Sequence, residues 1–183
     1  KIQGEEQMAL LSLNSTDTQI IRVTEALFNL RPGVTHFSNF QNYAATNGIA
    51  GFATALADLP GFAAKTNAEL ATLVTTNLGM TGDALATAQN YLEGQFAANP
   101  SARGSVVADA MELFSGMESD PEFGAAAAAF NADVTASLAY SEVAANTEVT
   151  DSDVAAEVVA AAAAEEAAAA DAAAVEAGYT DAA

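Results

Sequence analysis

The sequence predicts an all-α protein, an irregular bundle of about seven helices followed by a C-terminal Ala-rich helix. Three observations predict it. Apolar side chains recur at spacings of three and four, as in Ile20, Val23, Leu27 and Leu30. Capping and breaking residues punctuate the chain at helix-length intervals. No short window carries the alternation of a half-buried strand.

The elements follow in order. Residues 1–15 form a lead with an apolar patch of Met8, Leu10, Leu11 and Leu13. Thr16-Asp17 starts the first helix, and Arg31-Pro32-Gly33 stops it. A second helix runs from Thr35 to Ala45 with Phe37, Phe40 and Tyr43, and Asn47-Gly48 ends it. A third runs from Ile49 to Ala57 and closes at Leu59-Pro60-Gly61. Thr66 and Glu69 read as a capping box for a fourth helix over 67–78, with Leu70, Leu73, Val74 and Leu78 inward and Gly79 as its C-terminal cap. Thr81-Gly82-Asp83 opens a fifth over 83–98, with Leu85, Ala88, Leu92 and Phe96 on one stripe. Asn99-Pro100-Ser101 separates it from a sixth over 101–114. Ser119-Asp120-Pro121-Glu122 starts a seventh over 121–145: a cap, a proline near the first turn, then an acid at the positive dipole end.

The composition changes after Asn146. Residues 16–146 read as one helical domain, 147–153 as a polar hinge, and 147–183 as an acidic Ala-rich tail. Alanine favours helix but brings little apolar area to bury. The tail helix therefore calls for a partner surface, which a neighbouring subunit would supply. Tyr140, Val154, Val158, Val175 and Tyr179 are its candidate assembly contacts.

The chain has 5 basic and 24 acidic side chains, a net charge of −19 and no cysteine. All five cations lie at or before Arg103. Nucleic-acid binding needs clustered Lys and Arg and is excluded as a reading, as is attraction to an anionic membrane surface. Val154 to Val175 is interrupted by Glu157, Glu165, Glu166 and Asp171, so no membrane insertion is expected. Without cysteine there are no disulfides, thiolate sites or Cys-type metal centres. Such an acidic chain fits a secreted bacterial surface protein in salty or divalent-rich medium, and secondarily a halophile's cytosolic protein.

Three sets of fragments carry a family resemblance. Leu27-Phe28, Arg31-Pro32 and then Phe37, Phe40 and Tyr43 form the first. Leu59 to Ala63, Thr66 to Leu70 and Asn77 to Asp83 form the second. Ala98 to Gly104 followed by Leu113 to Gly116 and Phe123-Gly124 form the third. Residues 16–146 thereby resemble the helical module of bacterial surface-layer and hemolysin-type secreted proteins. The resemblance implies a helical, extracellular, noncatalytic domain that supports anchoring or lattice assembly. The glycine-and-aspartate calcium repeats that often follow such modules are absent from this chain.

Candidate sites are few. No nucleophile–base pair or cofactor loop is legible, so no enzyme is expected. His36, the single histidine, reads as a surface or helix-start residue. Gly79-Met80-Thr81-Gly82 lacks the lysine and preceding strand of a phosphate loop. Glu118, Asp120 and Glu122 read as helix capping before cation binding. Asp151, Asp153 and Glu157 have spacing that could serve calcium, but lack the glycine and final glutamate of an EF-hand loop. The phenylalanines read as core. No N-terminal signal peptide is visible, and the terminal Gly178 to Ala183 is similar to an uncleaved type I secretion signal. The expected function is a secreted structural protein that self-assembles, as homo-oligomer or polymer, into a surface layer, sheath or filament. The alternative is a module anchoring to envelope polysaccharide or lipopolysaccharide through Asn, Thr and aromatic residues around 35–47.

Overall fold

A computed structural model describes residues 15–151. The lead before Ser15 and the Ala-rich tail after Asp151 lie outside the described residues. Within them the all-α reading holds, with seven helices.

The first helix, α1 (Thr16–Phe28), is capped by Ser15, whose Oγ accepts from the Thr18 N–H at 3.1 Å. Asn29, at φ 54°, ends it in the left-handed region, which its short polar side chain tolerates. The helix therefore stops short of Leu30 and Arg31, which form a two-residue strand, β1 (Leu30–Arg31). Pro32 favours that outcome, because its ring biases the preceding residue toward extended backbone. Leu30 still reaches the core, at 1 % exposure, from the strand rather than from the helix face.

The two expected helices around residue 48 are one assigned segment, α2 (Val34–Ala57), broken at Gly48 by φ 72° and ψ 170°. Glycine takes this conformation without a Cβ clash, so the expected break is present as a kink. A single turn absent from the sequence reading, α3 (Pro60–Ala63), follows with proline at its first position. In α4 (Asn67–Asn77) both halves of the expected capping box are made: Thr66 Oγ1 accepts from the Glu69 N–H at 3.2 Å, and Glu69 Oε2 accepts from the Thr66 N–H at 2.8 Å. Next come α5 (Gly82–Ala98), α6 (Arg103–Ser115) and α7 (Gly124–Ser141). The last is shorter than expected at both ends. Asp120 Oδ1 accepts from the N–H groups of Glu122 and Phe123 at 2.8 and 2.9 Å, so 121–123 form a capped turn ahead of the helix.

The chain then returns to the bundle. The strand β2 (Thr150–Asp151) pairs antiparallel with β1, Leu30 opposite Asp151 and Arg31 opposite Thr150. The Val34 N–H donates to the Asn146 carbonyl at 2.8 Å, and Tyr140 Oη donates to the Glu148 carbonyl at 2.9 Å. Residues 147–151, read from the sequence as the start of a hinge, are thus tied to the domain. Two residues per strand are too short a run for sequence alternation to reveal.

The axis of the bundle is α1. Every residue from Ile20 to Phe28 is buried, and α2, α4, α6 and α7 pack around it. A helix covered on all sides belongs at a bundle centre. Phe28 meets Phe62 edge-on at 4.9 Å, and Phe40 meets Phe52 at 5.2 Å. Each such pair is worth about 0.5–1.5 kcal/mol beyond its buried area. Polar ties fix α7: Ser137 Oγ donates to buried Glu25 and accepts from Arg31 Nε at 3.1 Å, while Ser141 Oγ donates to the Pro32 carbonyl at 2.7 Å. The phenylalanines fill the core as expected, except Phe123, which is half-buried. No helix among the described residues is long and apolar enough to cross a membrane.

Candidate functional site

An apolar groove of about 230 Å³ lies between α5 and α6. Its walls follow from helix periodicity. On α5, Thr87, Ala88 and Tyr91 turn toward α6, with Leu92 one position on. On α6, Ala110 and Leu113 face back, with Met111 and Phe114 beneath. The floor is buried: Leu92 is 3 %, Met111 2 % and Phe114 4 % exposed. The lips are not, with Tyr91 at 48 % and Leu113 at 53 %. Leu78 and Met80 line it from the turn after α4, and Met117 and Phe123 line it from the loop before α7.

The loop that supplies Met117 and Phe123 is held in place from three sides. Buried Asn131 donates through Nδ2 to the Ser115 carbonyl at 2.8 Å and to Glu118 Oε1 at 2.7 Å. Thr87 Oγ1 donates to Glu122 Oε1 at 3.0 Å across the groove end. Asp120 caps the turn between them. The three carboxylates that could have been a cation cluster are thus occupied separately: one by an amide, one by a hydroxyl and one by backbone N–H groups.

Apart from the Thr87 hydroxyl and the phenol of Tyr91, the lining offers no polar side chain. Three of the four methionines in the chain, Met80, Met111 and Met117, border it. Unbranched, polarizable thioethers adapt to irregular apolar surfaces and are over-used at binding faces. No His, Cys, Lys, Asp or Glu lines it. Its volume is below the roughly 300–1,000 Å³ of small-molecule pockets and suits one or two apolar side chains.

The groove continues past Tyr91 into a polar hollow of about 160 Å³ bordered by Gln95, Asn99, Ser105 and Asp109. Between residues 83 and 123 the chain carries seven carboxylates (Asp83, Glu93, Asp109, Glu112, Glu118, Asp120 and Glu122) and one cation, Arg103. The Arg103 guanidinium is turned away and donates to the carbonyls of Lys65, Phe62 and Ala63 at 2.7, 3.2 and 3.2 Å.

The residues singled out in the sequence fall elsewhere. Asp151 is in β2, while Asp153 and Glu157 lie outside the described residues. Among the described residues no group of three or more His, Asp or Glu is placed to hold a metal ion. Tyr140 is half-buried, with its hydroxyl used on Glu148, while Val154, Val158, Val175 and Tyr179 lie outside the described residues. His36 is half-buried in the first turn of α2. In the 35–47 region Phe37 and Phe40 are core, at 3 % and 1 % exposure, and Tyr43 is half-buried.

The groove escaped the sequence reading because its parts lie on four separate elements. The spacing of Ala110, Leu113 and Met117 at i, i+3 and i+7, offset from the core stripe of Val107, Met111 and Phe114, was the available signal. No protein-family model matches the sequence, and no curated protein or solved structure matches it.

Proposed function

We propose that the protein is a noncatalytic, secreted structural protein of a bacterial surface that assembles with copies of itself into an extracellular layer, sheath or filament. The observation that supports this most directly is the pairing of β2 with β1, which gives the chain beyond Asp151 a fixed point of departure from the bundle. That remainder is dominated by alanine and has Val154, Val158, Val159, Val175 and Tyr179 as its larger apolar side chains. An alanine methyl buries little area, so an arm of this composition gains most by close packing against another chain. At a net charge of −19, copies approach one another only when salt or divalent cations screen them. Asp151, Asp153 and Glu157 are the carboxylates at the root of the arm that calcium would neutralise.

The envelope-glycan alternative keeps half-buried Tyr43 of its three aromatic residues. With Phe37 and Phe40 inside, it also keeps exposed Thr35, Asn42, Thr46 and Asn47, and Asn47 is engaged by the Tyr43 carbonyl. Self-assembly is therefore the preferred reading.

Negative-stain imaging of the purified chain with and without calcium tests it, beside a chain ending at Asp151. Ordered assemblies from the full chain and dispersed particles from the shortened one are expected. Normal assembly by the shortened chain overturns the role of the arm.

A further inference from the structure

Independently of assembly, we infer that the α5–α6 groove is a docking site for a cationic amphipathic helix of another protein, which seats apolar side chains between Tyr91 and Leu113 and sets its basic face against the surrounding carboxylates. Three observations point to that occupant. The lips are large apolar side chains left half in water, Tyr91 at 48 % and Leu113 at 53 % exposure, above a floor of Leu92, Met111 and Phe114 that is closed. The cavity, about 230 Å³, matches inserted side chains rather than a free small molecule. An apolar slot between two helices, rimmed by charge of one sign, is the shape that a helix with anchors at i, i+3 or i+4 and i+7 fills.

The sign of the rim selects the partner. Asp109 borders the hollow that continues the groove, Glu122 is bonded to Thr87 of its wall, and Glu118 flanks Met117. Arg103 is committed to backbone carbonyls on its other side, and Arg22, which shares a cavity with Asp109 and Glu112, is buried. An approaching Lys- or Arg-bearing helix gains steering and register from this field. The chain's own arm is a poor occupant. Residues 152–183 carry Asp153, Glu157, Glu165, Glu166, Asp171, Glu176 and Asp181 with no Lys or Arg, and few side chains larger than alanine.

The methionines supply the assay. With all four methionine methyls labelled in the full chain, Met80, Met111 and Met117 report the groove, and Met8 lies outside the described residues. The probe is a Leu/Lys amphipathic peptide of about 18 residues, five helical turns. Beside it run a Leu/Glu version of the same pattern and a Leu/Lys peptide of scrambled order. Saturable shifts of the three groove methyls by the Leu/Lys helix alone, weakening as salt rises toward about 1 M, are expected. Leu113→Asp adds negative charge while removing the apolar lip. Docking predicts weaker binding by about tenfold or more, whereas simple charge attraction predicts equal or tighter binding. Equal binding by Leu113→Asp or by the scrambled peptide overturns the proposal. So does binding of the Leu/Glu helix, or concentration-dependent groove shifts without peptide, which would make a second copy the occupant. Shifts of the groove methyls on deleting residues 1–14, with no response of the full chain to peptide, would instead seat the chain's own Met8 to Leu13 there and also overturn it.

Discussion

Gly104 of α6 lies directly against the Ala53 carbonyl of α2, with the Thr54 Cα close enough that a Cβ at position 104 would stand 2.5 Å from it. The two backbones touch there, and that contact brings α6 onto α2 along the core residues Phe52, Ala53 and Val107.

Gly104→Ala therefore forces the helices apart. Alanine improves helix propensity by up to about 1 kcal/mol at an unstrained site, but overpacking costs about 1–3 kcal/mol. The obstacle is backbone, which yields less than a flexible side chain. Net destabilisation is expected, read as a lower urea midpoint at unchanged slope. A variant as stable as the parent would show that α6 can shift freely.

Arg22 presents the opposite problem, a polar group with too little around it. It is 2 % exposed, and its Nε and Nη1 have no hydrogen-bond partner. Burial pushes its pKa below the ordinary arginine value, and the Glu112 carboxylate partly restores it. The cavity it borders with Gln19, Asp109 and Glu112, about 30 Å³, has room for one bridging water. Glu112 is exposed, so replacing the buried guanidinium by an apolar group of similar volume leaves no buried charge behind. Arg22→Met should keep or raise the melting temperature, and Arg22→Ala should lower it by leaving a void. Thermal melts that rank Met below Ala would mean that the guanidinium contributes net stability where it lies.

The helices were legible in the sequence wherever a local device set a boundary. Thr66 and Glu69, three positions apart, declare the start of α4, and Gly48 declares the kink in α2, because each acts through neighbours in the chain. What sequence spacing could not show depends on distant partners. The pairing of Leu30 with Asp151 and the bond of Ser137 to Glu25 join residues more than a hundred positions apart. Leu30 fits a helical stripe and a strand equally well, and Asn29 decides between them by taking positive φ. The groove was hidden for the same reason. Leu113 looks like one more core leucine until the flanking Met111 and Phe114 are seen to point inward instead.

The capping box makes part of the stability pH-dependent. The backbone N–H and the hydroxyl of Thr66 bond the Glu69 carboxylate and hold its pKa below the ordinary glutamate range, with Lys65 adding to the shift. A folded-state pKa below the unfolded one means stability that is present above the ordinary glutamate range and lost as pH falls through the folded value. Glu69→Gln should melt below the parent at neutral pH, with the gap closing as pH falls. Thr66→Ala removes the other half of the box and should cost about 1 kcal/mol at neutral pH. A gap that stays constant down to the acid transition would argue that the carboxylate charge is not what Thr66 holds.

The return of the chain onto β1 sets where the domain ends. Val149 packs half-buried on the core, Tyr140 Oη bonds the Glu148 carbonyl, and β2 pairs with β1. A chain ending at Asp151 keeps all three, whereas one ending at Asn146 loses them. The first should melt like the full chain. The second should be weaker by a few kcal/mol, at about 1 kcal/mol for each net hydrogen bond plus the apolar area of Val149. Tyr140→Phe separates the tyrosine bond from the rest. It should cost about 1 kcal/mol in the longer chain and nothing in the shorter, where the Glu148 carbonyl is gone. Equal costs in both backgrounds would place the contribution of Tyr140 in its ring packing and not in the bond to Glu148.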